Sequence, residues 1–423
     1  MHLKNFFGSQ LLKDFSNLFF ANIFQKVLGL IRELVIAFFL GSSILYANFL
    51  LLRIVADFFS QITAGNALKA NLLPKFTKLY EKNKEVSLKE VFRFSQQSSV
   101  YLFIISQVIQ TAVIFYLNLE SNLLFFGVSL VLSFSICFNF INTIFFTVFQ
   151  ARGLFLRYSY ASVTNSLVFT LLVYPLISFV SVIGLALSRL AAILSVYFSF
   201  VRPLKKENTG FEVRLNHSDF NFPTLILGNF ANIIIISSRF VAGTDGSNSI
   251  TFFMYAVVLL NALMTAVIGN VSTILLRKIA IKKNTKLMIY SLLTSVFVGL
   301  LMVIGLYFYS AEVVKFVYLR GAFNIADVQQ TSAYLYELSF AFLLLFVSTI
   351  LFQPYLTLSI EQTRKERLGM VVLFLLSIAF SVIFAQINSF TSKEGAFLMM
   401  YISSTITVAL SGYSYFKYIQ YGR

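Results

Sequence analysis

Continuous apolar runs, each of about 20 residues and separated by short polar breaks, occupy the chain from one end to the other. A helix rises about 1.5 Å per residue, so each run is long enough to cross the hydrocarbon core of a bilayer. Strands of a membrane β-barrel would instead alternate apolar and polar residues over roughly ten positions. The sequence therefore predicts an all-α polytopic membrane protein with about twelve transmembrane helices, at residues 17–39, 45–65, 97–117, 123–149, 159–176, 180–200, 222–240, 250–274, 287–309, 333–356, 368–387 and 395–416.

Composition agrees with this interpretation and excludes several classes of function. Hydrophobic residues make up 58% of the 423 residues, and the mean hydropathy of +0.81 is far outside the range of a water-soluble enzyme. One cysteine, Cys137, and two distant histidines, His2 and His217, offer neither a disulfide nor a cluster of metal ligands. We therefore expect no cofactor and no metal.

The basic residues alternate between the two sides of the predicted spans. If the N-terminus is cytoplasmic, 25 of the 33 Lys and Arg residues fall in cytoplasmic segments and only four in the segments on the other side. The net charge of +16 is therefore a topology signal, and no nucleic-acid partner is expected. We predict a multi-pass protein with both termini in the cytoplasm, and a first span that is retained as an uncleaved anchor.

A polar break after the sixth span divides the chain into two halves with six spans each. We predict an N-terminal six-helix lobe at residues 1–201, a cytoplasmic linker at 202–221 and a C-terminal six-helix lobe at 222–423. Such a division is typical of a duplicated transporter with parallel repeats.

Several ionisable residues fall inside the predicted spans, where a charge costs about 2.5–3.5 kcal/mol at a helix centre and marks a candidate functional site. Most of them lie in the first two spans. Lys26 and Glu33 are seven residues apart, which is nearly two helical turns, so they share a face. Arg53 and Asp57 have the i, i+4 spacing of a pair on one face. The complete set is Lys26, Arg32, Glu33, Arg53, Asp57, Arg189 and Glu337.

This excess of cations near the first two spans fits an anionic cargo, for which diphosphate is the obvious group. Lysine supplies a point charge, and arginine supplies a planar fork that takes two phosphate oxygens. We predict that Lys26, Arg32 and Arg53 bind the substrate. Glu33, Asp57 and Glu337 are candidates for coupling or gating, whereas Arg189 also fits a purely structural role at a helix seam.

Short motifs in the first 80 residues resemble the start of the MurJ/MviN-type lipid flippases of the MOP exporter superfamily. They are K-V-L-G-L-I-R-E at 26–33, F-L-G at 39–41, A-G-N-A at 64–67 and L-P-K-F at 73–76. Shorter pieces follow in the family's order at 150–153, 255–256, 268–269, 273–276 and 320–323. The resemblance implies a MATE/MurJ-like bundle of two six-helix lobes around a cationic cavity, which moves a polyprenyl-diphosphate-linked saccharide across the membrane by alternating access.

The chain also departs from the family's pattern. Lys26 replaces the arginine of the first motif, Ala47 replaces an acidic residue, and Ser60 with Gln61 replaces a double arginine. We include Gln61 among the candidate gating positions. The family also has fourteen spans, whereas twelve are predicted here. These differences favour a Wzx-like relative over a peptidoglycan-precursor flippase.

The sequence therefore predicts a non-enzymatic flippase of the bacterial cytoplasmic membrane for an O-antigen, capsule or exopolysaccharide unit on a polyprenyl diphosphate. Alternatives are a lipid II flippase and a MATE-like cation or drug antiporter, and a membrane-embedded glycosyltransferase or polymerase is a more distant one. Coupling to H+, to Na+ or to the membrane potential is left open. Expected partners are the lipid-linked glycan, membrane lipids and a glycan polymerase or glycosyltransferase, with the protein acting as a monomer.

Overall fold

The structure is a computed structural model, and it describes residues 10–64, 87–119, 122–206, 222–264, 285–356 and 360–422, together with 72–73, 76–77, 80 and 358. Over these ranges the chain is helical and forms no β-strand. The α-helices are α1 (Gln10–Leu40), α2 (Ile44–Ala64), α3 (Leu88–Tyr116), α4 (Asn122–Ala151), α5 (Phe155–Val196), α6 (Phe222–Leu227), α7 (Phe230–Ala242), α8 (Ser249–Met264), α9 (Thr285–Tyr318), α10 (Ile325–Leu356), α11 (Ile360–Ile387) and α12 (Ser392–Gly422).

Helix α5 contains two of the predicted spans. Its backbone leaves the helical conformation at Val180 and Ser181, and Ser181 has a φ of 52°. A Cβ atom added at Gly184 would lie 2.0 Å from the carbonyl oxygen of Leu176, although a straight helix would separate these positions by about 12 Å. The chain therefore folds back between two helices, in agreement with predicted spans at 159–176 and 180–200.

The seventh and eighth predicted spans differ from the others. The span at 222–240 is divided into α6 and α7 by a turn at Gly228 and Asn229. Within the span at 250–274, α8 ends at Met264, and the residues that follow lie outside the described part of the chain. In the described ranges, eight helical stretches are long and apolar enough to cross a membrane, and Phe230–Ala242 and Ser249–Leu263 are shorter apolar helices.

The chain forms two compact units. The first comprises residues 1–40 and 55–221, and the second comprises residues 41–54 and 222–423. Helix α2 therefore contributes its first half to the second unit and its second half to the first. The lobe boundaries at 201 and 222 stay a prediction, and most of the predicted linker, from 207 to 221, lies outside the described residues.

In the first unit, α1 packs on α5, α3 on α4, and α4 on α5. Neutral polar side chains join α3 to α4: Gln107 and Gln110 each donate at 3.0 Å, to Ser129 and Ser133, and Ser106 lies 3.1 Å from Ser133. Lipid tails are as apolar as the helix surfaces, so the hydrophobic effect does not drive helices together inside a bilayer. Hydrogen bonds and close packing hold such helices together instead.

In the second unit, α10 packs on α8, α9 and α12, and α12 also packs on α7 and α11. The turn after α1 is anchored here by polar contacts. Ser42 donates to the buried carboxylate of Asp327 at 2.6 Å, and the Tyr255 hydroxyl donates to the Gly41 carbonyl at 2.9 Å. The backbone N–H of Asn324 donates to Asp327, which caps the start of α10.

Large apolar side chains remain exposed along the long helices of both units. Examples are Phe297 and Phe308 on α9 and Leu376 and Phe380 on α11, each more than half exposed. Such a surface is expected where helices face lipid instead of water. The predicted all-α polytopic fold is confirmed.

Candidate functional site

Lys26 lies on α1 with its side chain exposed. It shares a helix face with Glu33, Ala37 and Leu40, which are only 2%, 1% and 8% exposed. This face of α1 is therefore buried at Glu33, Ala37 and Leu40 but exposed at Lys26. Among the described residues, no hydrogen bond or ion pair reaches the Lys26 ammonium.

Arg32 and Glu33 form a pair on α1. The Nη2 atom of Arg32 lies 3.5 Å from Oε1 of Glu33, and the guanidinium lies 4.4 Å from the ring centroid of Phe169 on α5. Both contacts suit a partly desolvated cation. The other Glu33 oxygen, Oε2, is buried and has no hydrogen-bond partner in the described part of the chain. Arg32 is therefore held by α5 and by a carboxylate, unlike Lys26.

Asp57 pairs with Arg189. Their Oδ1 and Nη1 atoms are 3.0 Å apart, and each side chain is 18% exposed. This contact joins α2 to the second half of α5 inside the first unit. The i, i+4 pairing of Asp57 with Arg53 stays a prediction, and the structure adds an ion pair with a residue 132 positions away that helical spacing could not indicate.

The remaining predicted positions are distributed between the two units. Arg53 is half-buried in the part of α2 that belongs to the second unit, and Gln61 is half-buried in the part that belongs to the first. Glu337 is half-buried on α10, where its backbone carbonyl accepts a hydrogen bond from the Tyr401 hydroxyl. Its carboxylate makes no hydrogen bond or ion pair with any described residue.

Sequence reasoning missed two buried cations, Arg239, which is 4% exposed, and Arg367. The charge pattern places Arg367 among the solvated cytoplasmic residues, but its side chain is 1% exposed. It donates to Thr224 at 2.8 Å, to Thr363 at 2.8 Å and to the Leu358 carbonyl at 3.0 Å. Thr363, four residues before Arg367 on α11, is the one partner that helical spacing could have indicated. The contact with Thr224, 143 residues away, could not be predicted from the sequence. Neutral acceptors satisfy this guanidinium, which gives it a structural role joining α6 to α11.

Over the described ranges, no group of three His, Cys, Asp or Glu residues is placed to hold a metal ion. The single cysteine, Cys137, is buried, and its thiol lies 3.0 Å from the Ser99 carbonyl.

Two helical units with apolar outer surfaces and ion pairs between long helices define a multi-pass α-helical membrane protein. Its fold is that of the MurJ and MATE proteins of the MOP superfamily. The lipid II flippase MurJ in an inward closed conformation superposes with a TM-score of 0.77 at 20% identity, over 94% of this chain and 87% of that one.

Two further solved structures show the same fold. A mutant form of the Vibrio cholerae MATE transporter VcmN matches with a TM-score of 0.67 at 13% identity, over 97% of this chain and 98% of that one. A MOP superfamily transporter from Pyrococcus furiosus, described by the reverse polarity of its binding pocket, matches with a TM-score of 0.51 at 12% identity, over 96% and 92% of the two chains. Neither a protein-family model nor a curated protein matches the sequence.

Proposed function

We propose that the protein is a flippase that moves a polyprenyl-diphosphate-linked oligosaccharide from the inner to the outer leaflet by alternating access. The glycan is an O-antigen, capsule or exopolysaccharide unit. The fold supports a transporter, since the solved structures that share it are flippases and transporters. No bond of the substrate is made or broken, so the protein is proposed to be a transporter and not an enzyme.

The observation that carries the proposal is that the two cations of α1, Lys26 and Arg32, differ in their contacts. Arg32 is engaged by Glu33 and Phe169, whereas Lys26 is exposed and has no ion-pair partner in the described ranges. A charge inside a predicted span is expensive unless something compensates it. A diphosphate that arrives at Lys26 supplies the missing negative charge, and Glu33 competes for Arg32 when the substrate leaves.

The proposed location is the bacterial cytoplasmic membrane, with both termini in the cytoplasm, because basic residues are concentrated on that side of the predicted spans. The drive is an H+ or Na+ gradient or the membrane potential. We propose that the protein works as a monomer beside the polymerase or glycosyltransferases that use its cargo.

A MATE-like antiporter of cations or drugs is the second candidate. It is favoured by length, because this chain and VcmN cover each other almost completely, whereas MurJ is longer. The exposed Lys26 opposes it, since a cationic cargo would be repelled there. A lipid II flippase shares the diphosphate chemistry and differs from our proposal only in the sugar.

The test is transport of a fluorescent lipid-linked oligosaccharide in vesicles that contain the purified protein. A charge-assisted hydrogen bond is worth about 1.5–3 kcal/mol, so Lys26→Ala should lower the transport rate by roughly tenfold or more. Lys26→Arg should restore it. The matched control is Lys315→Ala, which removes another exposed lysine, at the end of α9.

Transport by Lys26→Ala at the rate of the original protein would reject the role of Lys26. If the unaltered protein moved no lipid-linked oligosaccharide but exported cationic dyes, the antiporter would replace the flippase as the proposed function.

A further inference from the structure

An apolar groove with a volume of about 490 Å³ runs between α1 and the start of α5 in the first unit. Phe20, Phe24 and Val27 of α1 form one wall, and Ser159, Tyr160 and Val163 of α5 form the other. Beside it, the Ser162 hydroxyl donates to Gln25 at 2.9 Å, which ties the two helices together. The groove is therefore bounded by two helices that are hydrogen-bonded to each other.

One residue that lines the groove carries a hydroxyl that no described residue satisfies. Ser159 is 5% exposed, and its Oγ atom has no hydrogen-bond partner among the described residues. Serines inside helices usually donate to a carbonyl of the preceding turn, as Ser188 does to Gly184 at 2.8 Å. A buried hydroxyl without a partner costs free energy, so it points to a ligand with an oxygen acceptor.

Lys26 lies directly beside this groove. Ile23, which lines the groove, is three residues before Lys26 and is therefore its neighbour on the helix surface. Lys26 is nine residues inside the predicted first span, or about 14 Å along the helix.

We propose that this groove binds the first isoprene units of the polyprenyl chain while Lys26 holds the diphosphate at its end. Ser159 then donates to the ester oxygen that joins the two parts. An apolar cavity of about 150 Å³ accommodates one benzene ring, so the groove has room for about three isoprene units of similar size. The inference rests on the proposed function and specifies where its lipid carrier binds.

The absence of tryptophan from the chain allows a direct binding test. Phe24→Trp places a single indole at the groove, and Phe38→Trp places one outside it on the same helix. The two phenylalanines are 45% and 48% exposed, which makes them a matched pair. The probe is a polyprenyl diphosphate with a nitroxide quencher on its first isoprene units, added to both leaflets of phosphatidylcholine vesicles that contain the protein.

We expect saturable quenching of Phe24→Trp, and at Phe38→Trp only quenching that rises in proportion to the probe. Unlabelled polyprenyl diphosphate should reverse the saturable part at least tenfold more effectively than phosphatidylglycerol. Equal curves for the two variants, or equal competition by phosphatidylglycerol, would overturn the inference, because either result describes ordinary lipid at the protein surface.

A transport experiment separates this inference from the proposed function. Val163→Phe narrows the groove, and Leu167→Phe introduces the same phenyl ring on α5 one turn further along, outside the groove. We expect Val163→Phe to slow transport of a long-chain substrate at least fivefold and to spare an analogue with a single isoprene unit. If both variants transport the long-chain substrate at the original rate, the groove is not the tail site and the flippase proposal still stands.

Discussion

Replacement of Gly41 by alanine tests a close backbone contact of the second unit. Gly41 follows α1 with a φ of +49°, and a Cβ atom there would lie 2.7 Å from the carbonyl oxygen of Ala322 and 2.9 Å from its carbon. The Gly41 carbonyl accepts the Tyr255 hydroxyl, which is itself buried. The turn therefore has no room for a side chain.

Two costs add up in Gly41→Ala. A left-handed conformation costs a residue with a Cβ atom about 1–2 kcal/mol. Displacement of packed atoms costs about 1–3 kcal/mol more. Gly246→Ala is the matched control, because Gly246 has a φ of +69° with nothing within 4 Å of the added Cβ atom. We expect Gly41→Ala to lower the free energy of unfolding by about 1–3 kcal/mol more than Gly246→Ala.

The measurement is reversible unfolding of the purified protein in mixed micelles, with the loss of helical circular dichroism followed as denaturing detergent is added. Equal losses for the two alanine variants would refute the reasoning, since they would show that the backbone of Ala322 yields without cost. A neutral Gly41→Ala would in addition contradict the left-handed conformation itself.

Two further predictions concern the charged side chains of the first unit. A cysteine introduced as Lys26→Cys should react with a membrane-impermeant maleimide, whereas Glu33→Cys, on the same face but buried, should react at least tenfold more slowly; the buried native Cys137 provides a low background in both. Equal rates would show that the face is not open at Lys26. In a double-mutant cycle with Asp57→Asn and Arg189→Met, a coupling energy of about 1 kcal/mol is expected from the 3.0 Å ion pair, and a value near zero would contradict it.

The membrane-spanning architecture could be predicted from the sequence because it follows from local physics. A backbone in hydrocarbon must satisfy its own hydrogen bonds, so each apolar run of sufficient length becomes a helix whatever its neighbours are. The two spans inside α5 were predicted separately for this reason, since the polar and small residues near Ser181 interrupt the apolar pattern. The predicted concentration of ionisable groups in the first two spans depends in the same way only on position along the chain.

The partners of those ionisable groups were decided by the tertiary structure alone. Helical spacing places Arg53 on the same face as Asp57, but it could not show that Arg189 reaches Asp57 from α5. Arg367 follows a polar loop in the sequence and is nevertheless buried against Thr224. Spacing along one helix fixes only which residues share a face, whereas the packing of helices determines what meets that face. The apolar runs of the sequence therefore located the charges inside the predicted spans. Only the folded chain showed that Lys26 is exposed, whereas Arg32 contacts Glu33 and Phe169.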